Sequence, residues 1–144
     1  MKTKWFSFFL MALTLLFGFS GVVMANDDKV KVIVNSNQIH FDVDPIIQDG
    51  RTLAAVRHIS QGLGASVEWQ GNENKVILHR AGVTITMRIG HDVAHVNNRP
   101  VKLDVPPLIV NGRTFLPVRF LAESFQEPLF WDQPTKTVYI GIKN

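Results

Sequence analysis

The chain has 144 residues, of which 46% are hydrophobic and 19% charged, and it carries a formal net charge of +3 with its Lys and Arg scattered along the sequence. That length holds one modest domain or two very small units sharing a core. The complete absence of cysteine excludes a disulfide-stapled mini-domain and thiol chemistry, and the small, dispersed positive charge excludes nucleic acid as a partner.

In chain order, Lys2 and Lys4 precede an apolar run from Trp5 to Phe19, and Val23-Met24-Ala25 supplies small residues after Gly18, Ser20 and Gly21. This pattern predicts a cleaved signal peptide over residues 1–25. The alternative is an uncleaved anchor, since Trp5 to Met24 is about the length that crosses a bilayer. The expectation is a secreted or cell-surface protein that meets a membrane only through an uncleaved signal segment. Removal of residues 1–25 takes away Lys2 and Lys4 and no acid, leaving 13 basic against 12 acidic residues. With no disulfides available, stability must come from burial.

Val30, Val32 and Val34 then alternate with polar residues, which is the period of a half-buried strand. Asn35-Ser36-Asn37 reads as a turn, and Asp49-Gly50 as a type I′ hairpin pair. Val56, Ile59 and Leu63 fall at helical spacing, with Gly62 or Gly64 available to close the helix. Val76 and Leu78, and then the unbroken alternation of Val83 to Ile89, return to strand.

Turns at Asn97-Asn98-Arg99 and Asn111-Gly112 follow, then a second helical stripe of Val118, Leu121 and Phe125, with Pro117 at the first helical position. A last strand carries Val138, Ile140 and Ile142.

Much of this is written twice. The segment from Asp42 to Thr52 returns 62 residues later as Asp104 to Thr114, and the offset holds through Arg57 and Arg119, Trp69 and Trp131, and Val76 and Val138. The predicted fold class is α+β: antiparallel β-sheet units each wrapping one short α-helix, with a two-fold internal repeat over residues 26–82 and 83–144 that share one compact domain. The counterpart of strand 83–89 would fall at residues 21–27, so the first unit lacks a strand. The units are expected to share sheet edges, with the end of the chain covering the first, because an open apolar edge invites aggregation.

Catalytic motifs are missing from the sequence. No G-x-S-x-G elbow, phosphate-cradling loop or H-E-x-x-H occurs, and Gly62-x-Gly64 follows a helix instead of a strand. His91 and His95 are four apart, a spacing that in a strand covers about 13 Å and cannot close on one metal, so no metal site and no cofactor are expected unless a turn bends His91 back. Asp42 and Asp104 resemble a glycosidase acid and base, but a residue type kept at equivalent places reads first as structure. Arg57 and Arg119, near the positive end of each helix, call for a counter-charge. The expected pairs are Asp42 with Arg57 and Asp104 with Arg119, the alternative being a carboxylate-bearing ligand held between arginines. Trp69 and Trp131 are expected in the core, the alternative being a sugar-stacking platform of Phe130, Trp131 and Tyr139.

These motifs resemble the copper amine oxidase N-terminal-like domain, or stalk domain. Asp104, Pro107, Asn111-Gly112-Arg113-Thr114, Pro117-Val118-Arg119-Phe120, Trp131-Asp132 and Thr135-Lys136-Thr137-Val138 carry the resemblance. The first copy departs from it at Ala55, His58 and Gln70, and the second has Gln126-Glu127 where the family has Gly-Ala. The resemblance implies antiparallel strands around a short helix in an exported appendage. It implies no oxidase activity, because the only tyrosine, Tyr139, lies outside the quinone-forming context.

The expected function is a non-catalytic exported module that binds a cell-envelope polymer or a surface protein. Trp131, Asp132, Tyr139, Arg113 and Arg119 are its candidate ligand-binding residues. The alternatives are a secreted hydrolase using Asp42 or Asp104 and a purely structural assembly domain.

Overall fold

The computed structural model describes Gly21 and residues 27–141. Apart from Gly21, the expected signal peptide lies outside the described residues, as does Ile142. No helix among the described residues is long and apolar enough to cross a membrane.

Thirteen strands and two short α-helices follow one another among the described residues. They are β1 (Lys31–Val34), β2 (Asn37–Gln38), β3 (Ile46–Gln48), β4 (Arg51–Ala55), α1 (Val56–Leu63), β5 (Ser66–Gln70), β6 (Lys75–Arg80), β7 (Val83–Arg88) and β8 (Val93–Val96). After these come β9 (Arg99–Lys102), β10 (Leu108–Val110), β11 (Arg113–Pro117), α2 (Val118–Ser124), β12 (Leu129–Asp132) and β13 (Thr137–Ile140). The architecture is α+β and mostly antiparallel. A central sheet has the order β10-β11-β4-β3, a terminal sheet β12-β13-β1-β2, and a five-stranded sheet β5-β6-β7-β8-β9.

Turn chemistry sets the registers. Asp49 (φ 49°) with Gly50 (φ 73°), and Asn111 (φ 46°) with Gly112 (φ 73°), hold the two positive φ values that a type I′ turn needs. The same pair of signs occurs at Asn35-Ser36 and Asn97-Asn98, and at Ala81-Gly82, a hairpin that no strong turn dipeptide announces.

The central sheet joins the halves. β4 and β11 run antiparallel with Ala54 opposite Leu116 and with Leu53 and Ala55 opposite Pro117 and Phe115. Ala54 and Leu116 are themselves 62 residues apart, so the pairing is symmetric about that pair. Both faces of these strands are buried. Ala54 and Leu116 enter the main core, whereas Leu53, Ala55 and Phe115 form a smaller one with Val105. This is why β4 and β11 end in continuous apolar runs and not in alternation.

Both helices leave the central strands at once and lay their apolar stripes on the main core: Val56, Ile59 and Leu63 from α1, Val118, Leu121 and Phe125 from α2 and its cap. Gly64 closes α1 in the left-handed region, with its N–H donating to Gln61 and that of Ala65 to Ser60. Gln126 occupies the equivalent place after α2 at φ 58°, and the next residue, Glu127, accepts a hydrogen bond from Arg80, whose guanidinium also lies 5.7 Å from the centre of the Phe125 ring. Pro117 stands one residue earlier than expected. It ends β11 with ψ 116° instead of opening the helix, because the strand pairing to Leu53 keeps it extended.

The terminal sheet contains one parallel pairing, β1 with β13. Its origin is visible in the five-stranded sheet, where β7 lies antiparallel between β6 and β8 and aligns Leu78, Ile85 and Val96 in one row. Shifted by 62, the outer members of that row are Ile140 and Val34, and these two pair directly. Without a middle strand, two neighbours that would be parallel across it close up in the same register. β13, the last strand among the described residues, thereby covers β1.

Leu116 is fully buried at the centre of this arrangement, whereas Ile109 is 51% exposed. Leu116→Ala should therefore cost about 2–5 kcal/mol and Ile109→Ala less than about 0.5 kcal/mol, as read from denaturant midpoints.

Candidate binding grooves

Each hairpin leading into a helix brings an arginine to its strand start, Arg51 on β4 and Arg113 on β11. Because β4 and β11 are antiparallel, each arginine is delivered to the opposite half. Arg113 donates to Asp42 through Nε at 2.9 Å and Nη2 at 2.7 Å. Arg51 donates to Asp104 through Nε at 2.8 Å, and its Nη2 lies 2.7 Å from the same carboxylate oxygen as an ion pair.

The expected pairs within each unit are thus corrected: the aspartates hold Arg113 and Arg51, not Arg57 and Arg119. Arg119 instead faces Glu123 at 3.8 Å, and Arg57 has no ion pair among the described residues. The hydrogen bond from Arg113 holds the Asp42 carboxyl below the usual range, with its charge adding to the effect. A general acid needs the opposite shift. His58 stands 3.9 Å from Asp42, beyond hydrogen-bond reach.

Residues of these clamps also line two grooves of about 530 and 460 Å³, Arg51 and Asp104 the larger and Arg113 the smaller. The larger is lined by Pro117, Val118 and Arg119 at the start of α2, by Leu129 and Trp131 of β12 with Val138, and by Ile47, Gly50, Arg51 and Thr52 from the other half. The smaller is lined by Ala55, Val56, Arg57, Val67, Trp69 and Val76, with Ile109, Gly112, Arg113 and Thr114 opposite. Every residue lining the smaller groove stands 62 positions from one lining the larger. Each groove therefore takes its helix and tryptophan from one half and its hairpin from the other.

The grooves differ in what surrounds that common frame. In the larger, Glu123 faces Arg119 and Gln133 accepts a hydrogen bond from the Trp131 indole at 2.7 Å. The residues at those places in the first half are Gln61 and Gly71. Val101, Lys102, Asp104 and Phe120 extend the larger groove further.

Of the residues singled out in the sequence, Trp131 and Arg119 meet in the larger groove and Arg113 lies in the smaller. Asp132 and Tyr139 line neither. Strand alternation separates them: Trp131 pairs with Val138, while Phe130 and Tyr139 face each other on the opposite side with ring centres 6.2 Å apart. The aromatic platform is therefore split by the sheet. Asp132 accepts a hydrogen bond from Thr135. Trp131 packs partly buried against the main core, but Trp69, expected there too, is 47% exposed on an edge strand. His95 lies on β8 and His91 in the turn before it, and no group of three or more metal-ligating side chains occurs among the described residues. Ile47 and Ile109, exposed at equivalent places, were not singled out. Their recurrence on strands of only three residues was the available signal.

Comparison with known proteins settles the family. The model of the copper amine oxidase N-terminal domain matches residues 33–140. The chain belongs to this family. The match is a single span through both central hairpins and both grooves, and the domain it describes is a non-catalytic one. A curated protein from Brevibacillus choshinensis, named a protease inhibitor, is 26% identical over 110 residues, covering 74% of this chain and 34% of that protein. The chain spans about a third of that relative's length.

The clamp has a pH signature. Because the folded Asp42 carboxyl titrates below its ordinary value of 3.8, its contribution is fully present above about pH 4 and is lost as pH falls through the lowered value. Arg113→Gln should lower the melting temperature at pH 7, and its deficit against the parent should shrink as the pH is taken from about 4 toward 2. In double-mutant cycles, Asp42→Asn should be non-additive with Arg113→Gln and additive with Arg57→Gln.

Proposed function

We propose that this chain is a non-catalytic, exported binding module, built from two copies of one unit around a common core, that holds a cell-envelope polymer or a surface protein outside the membrane. The observation that carries this reading is the larger groove, where an apolar wall of Ile47, Leu129 and Trp131 meets the charges of Arg119, Lys102 and Glu123. A concave apolar surface with a few convergent polar groups is the form of a binding site. Asp104 in this groove and Asp42 are each committed to an arginine, which leaves the hydrolase alternative without its acid. The signal-peptide pattern supports export to the cell surface or medium.

A second reading is favoured by the name of the Brevibacillus relative: the surface protein held is a protease. Addition of the purified chain to secreted proteases would then suppress peptide hydrolysis, and undiminished hydrolysis across the set would remove this reading.

The chain from residue 26 onward should be retained on purified cell wall or on immobilised secreted proteins. Ile47→Asp and Arg119→Glu, both at exposed positions, should abolish retention without lowering the melting temperature. Equal retention of parent and variants, or none of the parent on either fraction, would sink the proposal.

A further inference from the structure

The smaller groove differs from the larger in a consistent direction. Where the larger groove gives Arg119 an ion-pair partner in Glu123 and the Trp131 indole a hydrogen bond to Gln133, the smaller has Gln61 and Gly71. Arg57 and the Trp69 indole are consequently left without an ion-pair or hydrogen-bond partner among the described residues. Arg113, the other cation of this groove, is already held by Asp42. One cation and one N–H donor thus face the same groove beside exposed apolar side chains, Val67 at 39%, Trp69 at 47% and Ile109 at 51%.

The groove is also bounded by two sheet edges. Among the described residues β5 pairs only with β6 and β10 only with β11, so each has an outer side without a strand partner there. Such an edge offers main-chain donors and acceptors at the spacing of another polypeptide strand, which a polysaccharide does not match. An edge of this kind is an open template unless something covers it.

We infer that the smaller groove docks an extended segment of a partner protein, which adds to the edge of the sheet and presents an acidic side chain to Arg57 and Trp69. Apolar side chains at alternate positions of that segment would lie against Val67 and Ile109, because successive residues of a strand point to opposite faces. The inference rests on reading the chain as a binding module, and it assigns the chemistry of one partner.

The probe is a synthetic peptide of alternating threonine and valine with one central glutamate, titrated into the isotope-labelled chain from residue 26 and followed by NMR. The expected result is perturbation of the amides of Val67, Trp69 and Ile109 and of the Trp69 indole. The same peptide with central lysine should bind about fivefold more weakly, the worth of one exposed ion pair. Gln61→Glu, which supplies the carboxylate found in the larger groove, should weaken the glutamate peptide to a similar extent. Trp69→Phe should weaken it while keeping the apolar contact, with both variants retaining the parent melting temperature.

Perturbation elsewhere, equal binding of the glutamate and lysine peptides, stronger displacement of the same resonances by an oligogalacturonide, or self-association of the chain at β5 would overturn the inference. Retention of the parent on envelope fractions without peptide binding removes this inference alone. Peptide binding that survives in Arg119→Glu while no envelope fraction retains the parent supports it and removes the envelope-binding reading proposed above.

Discussion

The antiparallel pairing of β4 with β11 is the constraint from which the rest of the molecule follows. It places Ala54 against Leu116 and buries both faces of the two strands. A small side chain opposite a large one fills the layer without overpacking it. Since α1 and α2 begin where these strands end, their positions are set by the same pairing. The hairpins before the strands are set by it as well, each carried across to the opposite half. The reciprocal clamps of Asp42 with Arg113 and Asp104 with Arg51 are consequences of that crossing, as is the composition of each groove from two halves.

Within this frame the two halves differ where the frame is least demanding. The buried positions keep their apolar character, Val56 with Val118, Ile59 with Leu121 and Val76 with Val138. The exposed rim positions do not match: Gln61 stands for Glu123 and Gly71 for Gln133. A change on the rim costs little in packing, because the side chain is already in water. Its effect is on which donors and acceptors remain unpaired. In the larger groove Arg119 has an ion-pair partner and the Trp131 indole a hydrogen bond, whereas in the smaller Arg57 and the Trp69 indole have neither among the described residues.

The aspartates illustrate how equivalent residues can mimic a catalytic pair. Two carboxylates at matching places suggest an acid and a base, yet each is hydrogen-bonded to an arginine that favours its charged form. That environment keeps the Asp42 carboxyl ionised, where general-acid chemistry requires it protonated. The family to which the chain belongs is non-catalytic in this domain, and the local electrostatics agree with that.

Local chemistry was sufficient for the elements themselves. Alternation in Val83 to Arg88, the Asp49-Gly50 and Asn111-Gly112 turns, and the helical stripes of Val56, Ile59, Leu63 and Val118, Leu121, Phe125 all depend on residues close in sequence, and the sequence by itself determined them. It also marked the arginines, aspartates and tryptophans that recur. Only the tertiary structure decided their partners. A repeat makes Arg51 and Arg113 interchangeable on paper, so pairing within a half and pairing between halves predict the same residue types. The choice was made by the antiparallel crossing of β4 and β11, a long-range contact that no local pattern encodes. The same holds for Trp69 and Trp131: their spacing is identical, but one lies exposed on the edge of the five-stranded sheet and the other packs against the core beside Gln133.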